Sequence, residues 1–103
     1  MRIEILHIDE CPNWVEAGHR LQAALDNTGN PDIAVAYRLL RTSEDAAKVP
    51  FAGSPTFTLN GEDLFATDGR TTDLACRIYF TPSGLAGLPT TEQLMKAIAS
   101  RED

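Results

Sequence analysis

The chain has 103 residues, 43% of them apolar, with nine basic and fifteen acidic side chains and a net charge of −6. That length supports one domain, residues 1–103, around a modest core, and two cysteines are too few to build a disulfide scaffold. A surface of this sign, without a cluster of Lys or Arg, argues against nucleic acid and anionic membranes as partners, because both present negative charge.

Residues 2–8 carry apolar side chains on both faces of a period-two pattern, Ile3 and Ile5 on one and Leu6 and Ile8 on the other. This predicts a strand covered on both sides and central in its sheet. From Pro12 to about residue 28, Trp14, Gly18, Leu21 and Leu25 recur at steps of four, three and four, and so share one face of a helix. Gly29 supplies the stop and Pro31 prevents continuation. Residues 33–40 read I-A-V-A-Y-R-L-L, and the long helical connection before them predicts a strand parallel to the first.

Thr42 stands three places ahead of Asp45, a capping-box variant that starts a short helix running through Val49 and ended by Pro50. Residues 51–55 are a breaker-rich loop. The stretch 56–59, Asn60-Gly61 and 62–65 then form a strand, a tight turn and a strand, since Asn-Gly is the favoured pair for a two-residue hairpin. Residues 66–73 are polar and predict a loop; 74–80, L-A-C-R-I-Y-F, fit a short strand and a helical turn equally. A turn follows at 81–84, and Thr90 with Gln93 makes a second capping box for a final helix anchored by Leu94 and Ile98. There are no internal repeats, low-complexity tracts or linkers.

The chemistry-bearing stretch is the end of the first strand, I-D-E-C-P-N-W at 8–14. Proline suits the first turn of a helix, so Cys11 is expected at or beside a solvent-accessible helix start, where unpaired N–H groups and the helix dipole stabilise a thiolate. Asp9 and Glu10 oppose that charge if they point the same way, which predicts a modestly reactive thiol. Ser or Asp would cap the position better than Cys, which favours a functional thiol there. Cys76, in an apolar context, reads first as a small core residue. His7 reads as a core or edge histidine and Trp14 and Tyr79 as packing aromatics.

The element order β-α-β-α-β-β-α, a cysteine at the first strand-to-helix junction and Ser-Pro-Thr entering the hairpin together resemble the thioredoxin fold. The resemblance implies an α/β domain with a central mixed four-stranded sheet flanked by helices. It also implies a cis bond at Ser54-Pro55, beside Cys11, where neighbouring backbone pairs with a substrate disulfide or peptide. More narrowly, C-P-N, G-S-P-T-F-T-L-N-G, A-C-R-I-Y and G-L-P-T-T-E-Q-L resemble small bacterial thioredoxin-like proteins labelled alkylmercury-lyase-like. The site implied is Cys11 as nucleophile, Pro12 and Trp14 setting the helix start, and Ser54, Pro55 and Thr56 shaping the substrate groove.

This chain departs from the thioredoxin pattern in having Trp14 where a resolving cysteine would stand. Cys11 then acts as a monothiol, or Cys76 resolves it; spacing alone is compatible with their meeting and with their not meeting. A bridge between them would close a loop worth about 4 kcal/mol in the chain-entropy model. The substrate expected is a small-molecule thiol or a protein disulfide, with no cofactor and no bound metal. Two alternatives stand beside it. One is a non-catalytic thioredoxin-fold binding module; the other is a soft-metal or organomercurial handling protein in which Cys11, Cys76 and Asp9 or Asp73 serve as ligands and acid. No apolar run approaches the roughly 20 residues needed to span a bilayer, and Met1 leads directly into the first strand. A cytoplasmic location is therefore expected, where a bridge would be transient. The sequence carries no signal for oligomeric state or for the substrate's identity.

Overall fold

The computed structural model describes residues 1–65 and 71–101, so residues 66–70 of the expected polar loop lie outside the described residues. The elements are β1 (Ile3–His7), α1 (Trp14–Asn27), β2 (Val35–Leu39), α2 (Ser43–Ala47), β3 (Thr56–Leu59), β4 (Glu62–Asp63), β5 (Tyr79–Thr81), β6 (Gly84–Ala86) and α3 (Thr91–Ala99). Four strands form a mixed sheet in the order β2-β1-β3-β4, with β1 parallel to β2 and antiparallel to β3, and β3 antiparallel to β4. β1 is central, as its two apolar faces predict.

Those two faces make two cores. Ile3 and Ile5, with their partners Leu59 and Phe57 on β3, pack against Ala17, Leu21, Ala24 and Leu25 of α1 and Leu94 and Ile98 of α3. On the opposite face, Leu6 and Ile8 meet Cys11, Leu40, Phe51 and Ala46 of α2. Each large side chain sealed in this way contributes about 1.5–3 kcal/mol relative to exposure. The sheet is thus held between α1 with α3 and the smaller layer around α2.

The predicted caps and the Gly29 stop are formed, while α2 ends at Ala47, two residues short of the Val49 expected. Gly29 has φ +82°, and the Asn30 N–H donates to the Leu25 carbonyl at 2.8 Å, closing α1 in the way a glycine after the C-cap allows. The Asp45 N–H donates to Thr42 Oγ1 at 3.1 Å, and Thr90 and Gln93 cap each other's backbone at 3.1 and 2.8 Å. Asn60 and Gly61 both have positive φ, 53° and 85°, the pair a type I′ turn requires.

The stretch 74–80, which periodicity leaves undecided, is extended over 76–80. Cys76, Ile78 and Phe80 are exposed while Arg77 and Tyr79 are buried, the alternation of a strand. It leads into β5, which pairs antiparallel with β6 around the 81–84 turn. This two-stranded ribbon lies outside the four-stranded sheet and adds two strands to the order expected from sequence. Among the described residues no helix is long and apolar enough to cross a membrane.

Candidate functional site: the Cys11–Cys76 bridge

β1 carries the chain to the site. The Ile8 N–H donates to the buried Ser54 Oγ at 3.1 Å, which holds the end of β1 against the turn preceding β3. The Ser54–Pro55 peptide is cis. Thr56 Oγ1 donates to the Gly53 carbonyl at 2.6 Å and accepts from the Ala52 N–H at 3.1 Å, so this hydroxyl is committed within the turn. The Tyr79 hydroxyl donates to the Pro55 carbonyl.

Cys11 and Cys76, 65 positions apart, are joined by a disulfide with their Cα atoms 6.0 Å apart. Backbone pairing brings Cys76 there. The Ser54 N–H donates to the Ala75 carbonyl at 2.8 Å, and the Arg77 N–H donates to the Ser54 carbonyl at 2.9 Å, a parallel bridge that brackets Cys76. Residues 75–77 therefore lie as a strap across the turn. Gly53 permits this approach, with φ +106° and no side chain; a Cβ there would stand 2.7 Å from Arg77 Cβ and 2.9 Å from its Cα.

Arg77 pins the strap. Its Nη1 donates to Asp63 Oδ2 at 2.9 Å and its Nη2 to the Phe65 carbonyl at 3.0 Å, and its guanidinium lies 4.6 Å from the centroid of the Tyr79 ring. Tyr79 in turn meets Phe57 and Phe65 edge-on, with centroids 6.1 and 5.5 Å away. Burial pushes the Tyr79 hydroxyl well above its usual range. Burial also pushes the Asp63 carboxyl up, and the Phe65 N–H and Arg77 oppose that only in part.

Several placements differ from the sequence reading. Cys11 is 1% exposed, sealed among Leu6, Ile8, Leu40 and Phe51, rather than solvent-accessible. α1 begins at Trp14 with Asn13 as its N-cap, which leaves Cys11 two residues outside the helix and Pro12 in the preceding turn. Stabilisation by the helix end acts over the terminal turn, so it reaches Cys11 less than a first-turn position would. Ser54, Pro55 and Thr56, expected to shape a substrate groove, lie beside the bridge but are buried, with the strap taking the backbone groups of Ser54 and Tyr79 the Pro55 carbonyl. Pro12 is exposed. Cys76, read from its context as a small core residue, is exposed.

Trp14 is half-buried and stacks on His7, ring centroids 4.6 Å apart, with Tyr37 edge-on to both. Among the described residues His7 Nδ1 is buried without a hydrogen-bond partner, and burial lowers the imidazole pKa, outweighing the Ile8 backbone and the Asp9 charge. A cleft of about 340 Å³ lined by Asp9, Glu10, Leu40, Arg41 and Leu74 adjoins the small core that holds Cys11. Among the described residues no group of three or more His, Cys, Asp or Glu side chains is gathered as a metal site.

Sequence reasoning missed Gly53, Asp63 and Arg77 as positioning residues. The available signal was an arginine inside the apolar run 74–80, which a two-residue period turns inward and which then requires an acid. Compared with family models, curated protein sequences and solved structures, the chain gives no match.

Proposed function

We propose that the chain is a thioredoxin-like thiol–disulfide exchange protein that cycles between the Cys11–Cys76 disulfide and the corresponding dithiol. The observation that carries this reading is the pairing of the two cysteines beside the Ser54–Pro55 turn, with Cys76 supplying the second sulfur that Trp14 cannot. The pair is built from elements far apart in the chain, which is how two thiols outside a Cys-x-x-Cys motif come to share one bond.

The reaction follows from disulfide chemistry. An external thiolate attacks one sulfur, a mixed disulfide forms, and the other cysteine leaves with the electron pair as a thiolate. A second external thiol then attacks the mixed disulfide, leaving an external disulfide and a reduced pair. Run backwards, the same steps oxidise the pair. The substrate class is a small cysteinyl thiol or a protein disulfide, and no cofactor takes part.

Intact-mass measurement tests the reading. Reduced protein treated with oxidised glutathione should regain the internal bridge, and the bridged form should open when excess reduced glutathione is added. Thiols that stay unmodified at neutral pH, together with a bridge that glutathione does not open, would leave a binding module rather than an exchange protein.

A further inference from the structure

We infer that Cys76, not Cys11, is the sulfur through which external thiols enter, and that Cys11 is the buried leaving thiol. The inference rests on the exchange reading above and assigns the two roles within it.

Displacement at a disulfide is in line: the attacking sulfur approaches from the side opposite the departing one, so access behind each sulfur decides which is attacked. Behind Cys11 lies packed interior. The residue is 1% exposed and embedded with Leu6, Ile8, Leu40, Ala46 and Phe51, and Leu74 and Val49 pack on the same cluster. An attacker on Cys11 would have to come through those side chains. Cys76 is exposed, at the start of the outward row it shares with Ile78 and Phe80.

The other route to Cys11 runs along the Ser54 backbone, and the chain itself occupies it. Ala75 and Arg77 use both backbone hydrogen-bonding groups of Ser54. Arg77 keeps the strap in place through Asp63, the Phe65 carbonyl and the Tyr79 ring, none of which depends on the disulfide. Opening the bridge therefore leaves Cys11 covered and Cys76 facing solvent. The apolar surroundings make Cys11 a poorer leaving group than a solvated thiol. That slows exchange without redirecting it, because attack on Cys11, even from the cleft beside it, has to pass the side chains that seal the sulfur.

The step balances. The thiolate of a cysteinyl thiol bonds to Cys76 Sγ, the Cys76–Cys11 bond breaks, and its electron pair leaves on Cys11 Sγ, which takes a proton from water. A second thiolate attacks the external sulfur of the mixed disulfide, giving the external disulfide and the Cys76 thiolate. Two thiols are oxidised and one protein disulfide is reduced.

The test begins with the bridged wild-type protein and reduced glutathione, quenched early with acid and N-ethylmaleimide and mapped by peptide mass. Glutathione on Cys76 with the maleimide on Cys11 is the result expected; glutathione on Cys11 overturns the assignment while leaving the exchange reading intact. A bridge that glutathione never opens removes the exchange reading and this inference with it. Single variants give an independent measurement. Reduced Cys11→Ser, which keeps Cys76, should form the adduct with oxidised glutathione at least about tenfold faster than reduced Cys76→Ser. Adding Gly53→Ala to Cys76→Ser should speed Cys11 by displacing the strap. Equal or faster reaction of Cys11 in Cys76→Ser with the strap in place would overturn the inference.

Discussion

The Arg77 guanidinium and the Asp63 carboxylate meet at 2.9 Å with only 9% and 13% of their side chains exposed, and this pair fixes the strap that carries Cys76. Removing one partner of a buried pair leaves the other uncompensated, which costs more than the pair itself contributes. Arg77→Met should therefore destabilise the fold by about 3 kcal/mol in urea unfolding. Arg77→Met combined with Asp63→Leu should cost less than Arg77→Met alone, because no stranded charge remains. A double variant at least as unstable as the single one would show that the pair is not what holds this region.

The disulfide ties the strap to the end of β1 across a long stretch of chain. Its reduction should lower the unfolding free energy by up to about 4 kcal/mol, since the unfolded chain regains the entropy of an open loop. Cys76→Ser should match the reduced wild type and be indifferent to reductant. Urea titrations with and without a dithiol reductant measure both.

Tyr79 supplies the hydrogen on which the Pro55 carbonyl relies. Tyr79→Phe keeps the ring against Phe57 and Phe65 but leaves that carbonyl short of a donor in a buried place, a loss of about 1–2 kcal/mol. Denaturant midpoints check the size.

Gly18 lies on the buried face of α1 where the Tyr37 hydroxyl comes against its Cα, and a Cβ would collide with the end of that ring. Tyr37 is half-exposed on the edge strand β2, so the ring can swing outward, and alanine gains up to about 1 kcal/mol of helix propensity over glycine. Gly18→Ala should consequently change stability by less than about 1 kcal/mol. Trp14 is the only tryptophan, and losing Tyr37 from its edge should shift its fluorescence emission.

His7 is favoured in its neutral form in the fold, because burial lowers its pKa from the ordinary 6.5. As pH falls through 6.5 the unfolded chain takes up the proton first, so stability is fully present above that value and is lost on the way down through the lowered folded value. Wild type should lose more melting temperature than His7→Phe between about pH 7.5 and 5. Equal losses in the two proteins would mean that His7 does not contribute to the acid sensitivity.

Local signals placed most of the framework. The two-faced apolar pattern of 2–8 made β1 central, Gly29 ended α1, the Thr42 cap and the Thr90–Gln93 capping box started α2 and α3, and Asn60-Gly61 set the hairpin register. Each depends on backbone preferences or on a period read within a dozen residues. The stretch 74–80 defeated the same method because a two-residue and a helical period coincide over so few positions.

By itself, the sequence determined the strands β1 to β4 and the three helices, though not the β5–β6 ribbon, since propensity, caps and apolar period act within a few neighbours. Tertiary structure alone decided that Cys11 lies sealed and Cys76 open. It also decided that the two are bonded and that Ser54 spends its backbone pairing on the chain's own strap. Burial and long-range pairing depend on what packs against a residue from distant parts of the chain. In this protein that was settled by an arginine turned inward toward Asp63 and a glycine that let the strap approach.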